Sequence, residues 1–154
     1  MSRLFPVSRS LRTMLLAGLL SLTAFPMVAS ELKLEAKLIW GTNDGNNPKK
    51  DQPPVDDVTA AKLRKVFKWK HYFLVNKQTK VIPSRGSNKF KLSEDCTVEI
   101  TELEGPRVEF QVIGKGIPVH KTIKELGKGE DFVYSGNDKN ETAWFVMITD
   151  LDKK

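Results

Sequence analysis

The sequence TAWFVMITDL, residues 142–151, is apolar at every position from Trp144 to Ile148. A strand that covers a single core alternates apolar and polar side chains, because successive side chains point to opposite faces of the sheet. A run that is apolar at both sets of positions is typical of a strand covered on both sides. We therefore predict that this segment is an interior strand with other elements packed on both of its faces.

Other segments show the alternation expected of half-buried strands. In ELKLEAKLIW (31–40) the apolar residues share one face, and RVEFQVIGK (107–115) alternates in the same way. Further strands are predicted at 71–77, 79–82, 89–93, 96–104, 117–126 and 131–136. Seven or eight short strands with regular turns indicate a mainly β fold, either an antiparallel β-sandwich or a small barrel.

One short α-helix is predicted at 57–67. Residues 41–57, which precede it, are rich in Gly, Asn and Pro and are predicted to form a flexible surface loop. Asp56 or Asp57 can cap the first turn of the helix. Its rough apolar stripe is made of Val58, Ala61 and either Leu63 or Val66.

Residues 1–30 have the three-part pattern of a secretory signal peptide. Three arginines without an acidic residue precede the apolar run 14–25, and small residues end the segment. This run is shorter than the ~20 residues that a membrane-spanning helix needs, which disfavours a single-pass anchor. We expect cleavage before Glu31, no transmembrane segment in the mature chain, and one β-rich domain at 31–154 that is periplasmic or secreted.

The basic residues of the chain divide between this signal and the domain. Residues 1–30 contribute three arginines and no acids, so their removal lowers the formal charge from +6 to +3 and disfavours nucleic acid as a partner. Five basic residues do surround one predicted turn, namely Lys77, Lys80, Arg85, Lys89 and Lys91. They can bind an anionic polymer such as envelope glycan. Lysines that keep a sheet edge solvated are the favoured interpretation.

The stretch VFKWKHYFLV (66–75) interleaves aromatic and basic residues. If the chain is extended from Phe67 onward, one face carries Phe67, Trp69, His71, Phe73 and Val75. The other face carries Lys68, Lys70, Tyr72 and Leu74. We predict that the first set joins the core and that Lys68, Lys70 and Tyr72 form a small polar surface that can contact a ligand.

Catalytic and metal-binding patterns are not recognisable in this sequence. Two histidines outside any motif are a weak basis for zinc, and the single cysteine, Cys96, is interpreted as a small buried hydrophobe. We predict a non-enzymatic domain without a cofactor or metal. The alternative is a small envelope-acting hydrolase that uses acids such as Glu109, Asp131 or Asp150. Asn140 begins a triplet that fits the N-glycosylation acceptor pattern.

The phrases LIWGT (38–42), FKWKHYF (67–73), GEDFVYSG (129–136) and WFVMITDL (144–151) resemble a type of small exported bacterial protein of unknown function. The resemblance implies an export signal and a β-rich domain, and it carries no catalytic residues. Together with the patterns above, it leads us to expect a binding or scaffold module of the cell envelope or the cell exterior. Its expected partner is an envelope protein or an anionic glycan.

Overall fold

The computed structural model describes residues 31–45, 51–104, 106–139 and 141–152. The predicted signal peptide and Asn140 lie outside these residues. Within them, eight strands form two antiparallel sheets of four, accompanied by one helix. The strands are β1 (Leu32–Thr42), β2 (His71–Ile82), β3 (Ser87–Lys91), β4 (Cys96–Glu102), β5 (Arg107–Gly114), β6 (Ile117–Glu125), β7 (Asp131–Asp138) and β8 (Thr142–Asp150), and the helix is α1 (Asp57–Val66).

The strands form a sandwich without closing into a barrel, which confirms the predicted mainly β fold. The first sheet has the order β2-β1-β8-β7, and the second has the order β3-β4-β5-β6. The pairing of β1 with β8 brings the two ends of the described chain together in the middle of the first sheet. One boundary prediction is wrong, because 71–77 and 79–82 belong to the single continuous strand β2.

Strand β8 is covered on both faces, as its composition predicts. Val146 and Ile148 belong to the core between the two sheets. Phe145 and Met147 point the other way and pack in a second cluster beneath helix α1. All four side chains are at most 2% exposed. The first sheet is therefore the middle layer of three, with the second sheet on one face and the helix on the other.

Helix α1 begins at a well-made N-cap. The Asp56 carboxylate accepts hydrogen bonds from the Thr59 backbone N–H at 2.8 Å and from the Thr59 hydroxyl at 2.7 Å. These bonds stabilise the ionised carboxylate and lower the pKa of Asp56 to about 2. The helix buries Thr59, Ala60 and Leu63.

The predicted apolar stripe of the helix is wrong except for Leu63, which is buried. Val58 and Val66 are 66% and 74% exposed, and Ala61 is also exposed. Thr59 occupies the buried face because its hydroxyl is satisfied by the cap, and its aliphatic part can then cover the sheet. The hydrogen bond from Lys37 to the Thr59 hydroxyl, at 3.3 Å, ties this turn to β1.

The aromatic stretch before β2 divides differently from its simple alternation. Trp69 is buried beside Phe145, as predicted for a core residue, but Tyr72 is only 3% exposed and lies in the same cluster. The prediction that Tyr72 lies on a polar surface is therefore wrong. The chain bends at Lys70 before the strand begins at His71, so the parity of residues 67–69 does not continue into β2.

This bend is held by side chains from two other segments. The Lys70 backbone N–H donates to the Asn43 side-chain oxygen at 3.2 Å, and the Lys70 carbonyl accepts from the Arg64 guanidinium at 3.3 Å. At a bulge in β2, Val75 has no partner on β1, and the register between the two strands shifts between Leu38 and Ile39. Phe73 and Val75 consequently face the sandwich side, whereas Trp69 and Tyr72 face the helix.

The free edge of β2 is protected in two parts. Residues 53–55, the end of the predicted loop, bond to the beginning of the strand, with Val55 N–H to Tyr72 O at 3.0 Å and Leu74 N–H to Pro53 O at 2.8 Å. Further along, side chains of β2 bridge to the facing edge of β3 and to the residue that follows it. The side-chain amides of Asn76 and Gln78 donate to Leu92 O at 3.0 Å and to Lys91 O at 2.7 Å. The Lys80 ammonium donates to Lys89 O.

The opposite side of the sandwich is open. Strands β6 and β7 are the outer strands there, and in the described part of the chain they are not paired with each other. Aromatic rings join them instead. His120 of β6 stacks on Tyr134 of β7 with ring centres 4.2 Å apart, and Phe110 of the neighbouring strand β5 stacks on Phe132 of β7 at 4.7 Å.

Among the described residues, no helix combines the length and apolar character needed to cross a membrane.

The burial of Trp69 predicts a large loss of stability for Trp69→Ala. The indole is 6% exposed and packs between the helix and β1, so its removal leaves a cavity that costs roughly 3–5 kcal/mol. Urea unfolding followed by circular dichroism measures this loss, and Trp69→Phe is expected to lose less. An Ala variant as stable as the parent protein would show that the helix layer contributes little.

Candidate functional site

An open cleft of about 850 Å³ lies at one end of the sandwich. At this end of the first sheet β1 and β7 finish and β2 and β8 begin, since Thr42 pairs with both His71 and Thr142. The loop from β3 to β4, residues 93–95, closes the other side. Loops at one end of a β-sandwich are a frequent place for binding sites, because the sheets position them rigidly.

Two tryptophans form the apolar floor of this cleft. Trp40 and Trp144 are directly opposite each other on β1 and β8, on the inner face of the first sheet. The row continues on both sides, with Phe73 5.9 Å from Trp40 and Tyr134 5.4 Å from Trp144 between ring centres. Both indoles remain partly exposed. They offer a ligand a broad aromatic surface that is fixed at low conformational cost.

The position of Trp144 depends on a glycine in the neighbouring strand. Gly136 is the residue directly opposite Trp144 on β7. The indole ring lies so close to this glycine that a Cβ atom at position 136 would overlap it. Such an atom would lie 2.5 Å from Cε2 and 2.9 Å from Nε1 of the ring. The absence of a side chain at position 136 thus allows the ring to lie flat along the sheet.

Polar groups surround the aromatic floor. They come from four separate segments and comprise Thr42, Asp44, Gln52, Ser93, Glu94, Asp95, Asp138, Lys139 and Thr142. Several are fixed by their own loops: the Thr42 hydroxyl accepts from Asp44 N–H at 3.1 Å, and the Ser93 hydroxyl accepts from Asp95 N–H at 3.2 Å. An apolar floor with a few oriented hydrogen-bonding groups is the usual make-up of a small-molecule site.

A smaller pocket of about 230 Å³ adjoins the cleft through Asp138 and Thr142. Its lining includes Lys68, Trp69 and Glu141. The Lys68 ammonium lies 5.0 Å from the centre of the Trp69 ring, within the range of a cation–π contact. Lys68, one of the predicted ligand-binding residues, therefore lies beside the cleft in the adjoining pocket.

The five residues of the basic stretch do not form one cationic surface. Lys77 pairs with Glu35 at 3.8 Å on the helix side of the first sheet. Lys89 pairs with Glu99 at 3.6 Å. The next residue, Phe90, points into the core, so Lys89 and its partner lie on the outer face of the second sheet. The sandwich therefore separates these two lysines onto opposite sides of the molecule.

The remaining basic residues are also engaged locally. Arg85 pairs with Glu104 at 3.1 Å, and Lys91 pairs with Glu94 at 3.2 Å. Lys80 bonds to a β3 carbonyl, with its ammonium 5.6 Å from the Phe90 ring centre, so it holds the seam between the sheets. These contacts favour the interpretation of the stretch as a solvated, edge-protecting surface.

Two other predicted site residues lie away from the cleft. Lys70 is exposed at the bend before β2, where its backbone makes the contacts described above. Tyr72 faces the helix cluster, and burial raises the pKa of its phenol.

The three acids considered for a hydrolase do not converge. Glu109 is on the second sheet and pairs with Lys121 at 2.9 Å. Asp131, on β7, bonds to Lys62 of the helix and accepts from the Thr149 hydroxyl at 2.7 Å. Asp150 is 4% exposed, and burial raises its pKa. Strand β8 begins at Thr142, which lines the cleft, and ends at Asp150, so Asp150 lies at the end of the strand remote from the cleft.

The cysteine and the metal-ligating side chains give no second site. Cys96 is partly buried against the sandwich core, and burial raises the pKa of its thiol, which disfavours the nucleophilic thiolate. Within the residues that the structure describes, His, Cys, Asp and Glu form no group of three or more that could hold a metal ion.

The sequence pattern places Trp40 and Trp144 in strands but does not reveal the cleft. Each tryptophan stands on the inward parity of its strand, close to the strand end and next to a polar turn. That combination is the available signal, because an inward aromatic at a strand end has core on one side only. The cross-strand pairing that joins the two rings depends on register over more than a hundred residues of chain.

Comparison of this chain with protein-family models, with curated proteins and with solved structures found no match. The resemblance to small exported bacterial proteins therefore stays an expectation, and the site must be interpreted from its own geometry.

The contact between Gly136 and Trp144 predicts that Gly136→Val displaces the indole and closes part of the cleft. The added side chain overlaps the ring, and such overpacking typically costs about 1–3 kcal/mol. Thermal unfolding and the tryptophan emission spectrum measure both effects. Ser135→Val, at the exposed neighbouring position, is the matched control and is expected to change stability by less than about 0.5 kcal/mol. Equal behaviour of the two variants would contradict this assignment.

Proposed function

We propose that this protein is an exported, non-enzymatic binding module of the cell envelope or cell exterior, and that its binding site is the end cleft. The observation that carries the proposal is the pair of partly exposed tryptophans, Trp40 and Trp144, on the floor of an 850 Å³ cleft. Two rigid rings on central strands supply apolar contact area, while hydroxyl, amide and carboxylate groups on the surrounding loops supply orientation.

Binding is favoured over catalysis by the distribution of the acids. General acid–base chemistry needs two groups held within reach of one reacting bond. The acids proposed for a hydrolase are divided between the two sheets, and the two on the first sheet, Asp131 and Asp150, both lie at its end remote from the cleft. Asp150 has the perturbed pKa that often marks a catalytic acid, but it lies at the far end of β8 from the cleft.

Glycan is the favoured ligand class over a simple polyanion. Sugar rings present apolar faces that can stack on indole rings and hydroxyls that can bond to groups such as those of Thr42, Ser93 and Asp95. A polyanion would instead need several unpaired cations on one surface. Four of the five basic residues around the predicted turn are already paired with carboxylates.

The export part of the proposal rests on the pattern of residues 1–30. Fractionation of the producing cells followed by N-terminal sequencing tests it. We expect a mature protein that begins at Glu31 in the periplasm or the medium. A protein retained in the cytoplasm with its first thirty residues intact would contradict export.

The binding part predicts that soluble peptidoglycan fragments quench the protein's tryptophan fluorescence. Trp40→Ala and Trp144→Ala, each first checked for folding, are expected to weaken binding about tenfold to hundredfold, as for residues at the centre of an interface. Asp95→Asn is expected to weaken it with little effect on stability, because Asp95 is exposed.

The control variant is Lys77→Ala, which removes a cation on the helix side and should leave the affinity unchanged. Heparin serves as the polyanion probe. Strong heparin binding that is lost in Lys77→Ala and retained in Trp144→Ala would favour the basic stretch over the cleft and contradict the proposal.

A further inference from the structure

The four edge strands of the sandwich differ in how their free backbone groups are treated. The β2 edge is occupied by residues 53–55 and by the side-chain bridges to β3, which also cover the facing β3 edge. Strand β6 pairs with β5 and, within the described residues, with no other strand. An open edge presents unpaired N–H and C=O groups on which another strand can form.

Strand β6 is also the most apolar surface among these edges. Ile117, Val119 and Ile123 are 66%, 51% and 53% exposed, which makes β6 the site of half of the exposed large hydrophobic residues of the described chain. Strand β7, the other open edge, contributes none of them. Of these three side chains, Ile123 lies in the half of β6 away from the cleft, and an exposed aliphatic side chain on an open edge favours cover by another chain.

Only one half of β6 is suited to strand pairing. Pro118 has no N–H to donate, and the extra residue Val119 forms a bulge between the pairs Val112–His120 and Ile113–Pro118. Both features lie at the end of β6 near the cleft. The remaining half, Lys121–Glu125, pairs regularly with β5 and has neither feature.

We propose that a second copy of this chain pairs antiparallel with the Lys121–Glu125 half of β6, about a twofold axis that passes through Ile123. The two second sheets then form one continuous eight-stranded sheet. Because the axis is perpendicular to the sheet, directly opposite residues of the two copies point to the same face. Ile123 then lies opposite Ile123 of the other copy, and Lys121 lies opposite Glu125 on each side of the axis.

Charge selects this register from its neighbours. An axis through Lys121 or through Lys124 places that lysine directly opposite itself, and like charges in directly opposite positions are destabilising. An axis through Thr122 sets Lys121 against Ile123 and forms no ion pair. The axis through Ile123 forms two Lys121–Glu125 pairs beside an apolar contact. The existing 2.9 Å contact of Lys121 with Glu109 orients its ammonium on this outer face.

The proposed dimer leaves the binding end of each copy accessible. The pairing half of β6 is the half remote from Ile117, which begins the strand at the cleft end. Two clefts would then be presented by one rigid sheet, and a polymeric ligand that reaches both would be held with increased avidity. Dimerisation is independent of the ligand, so it can be tested without knowing the ligand's identity.

Sedimentation of the purified protein over a range of concentrations tests the proposal by charge exchange. The parent protein is expected to form a dimer reversibly. Lys121→Glu and Glu125→Lys each convert two attractive pairs into repulsive ones, and each is expected to weaken self-association by about tenfold. An equimolar mixture of the two variants is expected to regain a dimer, because every pair across the axis is then between opposite charges.

Two further variants test whether the dimer forms at this edge. Ile123→Lys places two ammonium groups on the axis and is expected to abolish the dimer, whereas Lys65→Glu, on the exposed side of the helix, should leave it unchanged. Circular dichroism confirms the folding of each variant. A parent protein that is monomeric throughout, single variants that still dimerise, or a mixture that stays monomeric would each overturn the proposal.

Discussion

The burial of β8 on both faces is the constraint on which the rest of the structure depends. Val146 and Ile148 hold the second sheet against the first, and Phe145 and Met147 hold the helix against the other face. Because β8 pairs with β1, residues from both ends of the described chain meet in the same central ladder. A strand of this kind must be apolar at consecutive positions, and that requirement fixes the three layers of the molecule.

The candidate site follows from where this packing ends. The sandwich core fills the interior as far as Trp40 and Trp144. Beyond these two residues loops, and no longer strands, surround the inner face of the first sheet. The two rings thus belong to the core on one side and to the cleft on the other. Central strands give them a rigid position, and the loops around them can vary without loss of the core. The seam of β2 side chains on one flank and the open β6 and β7 edges on the other make the flanks unequal.

The elements that the sequence predicts well are those that local patterns determine. Strict alternation identified β1 and β5, and the consecutive apolar run identified β8 as a strand covered on both sides. The errors have physical causes. The parity of VFKWKHYFLV failed because the chain bends at Lys70, where contacts with Asn43 and Arg64 hold it, and the Asn43 contact spans 27 residues. The helix stripe failed because the Asp56 cap satisfies the Thr59 hydroxyl and allows that residue to be buried. The basic stretch was separated by the sandwich itself, which no linear pattern reveals.

The most direct test of this account is to map amide chemical shifts by NMR while soluble peptidoglycan fragments are added. The account predicts that the changes concentrate at the cleft end, around Trp40, residues 93–95 and Thr142, and that the amides of the β2–β3 seam stay unchanged. Changes centred on Lys77, Lys89 and Lys91 instead, or an absence of change at every concentration, would contradict a binding module that uses the end of the sandwich.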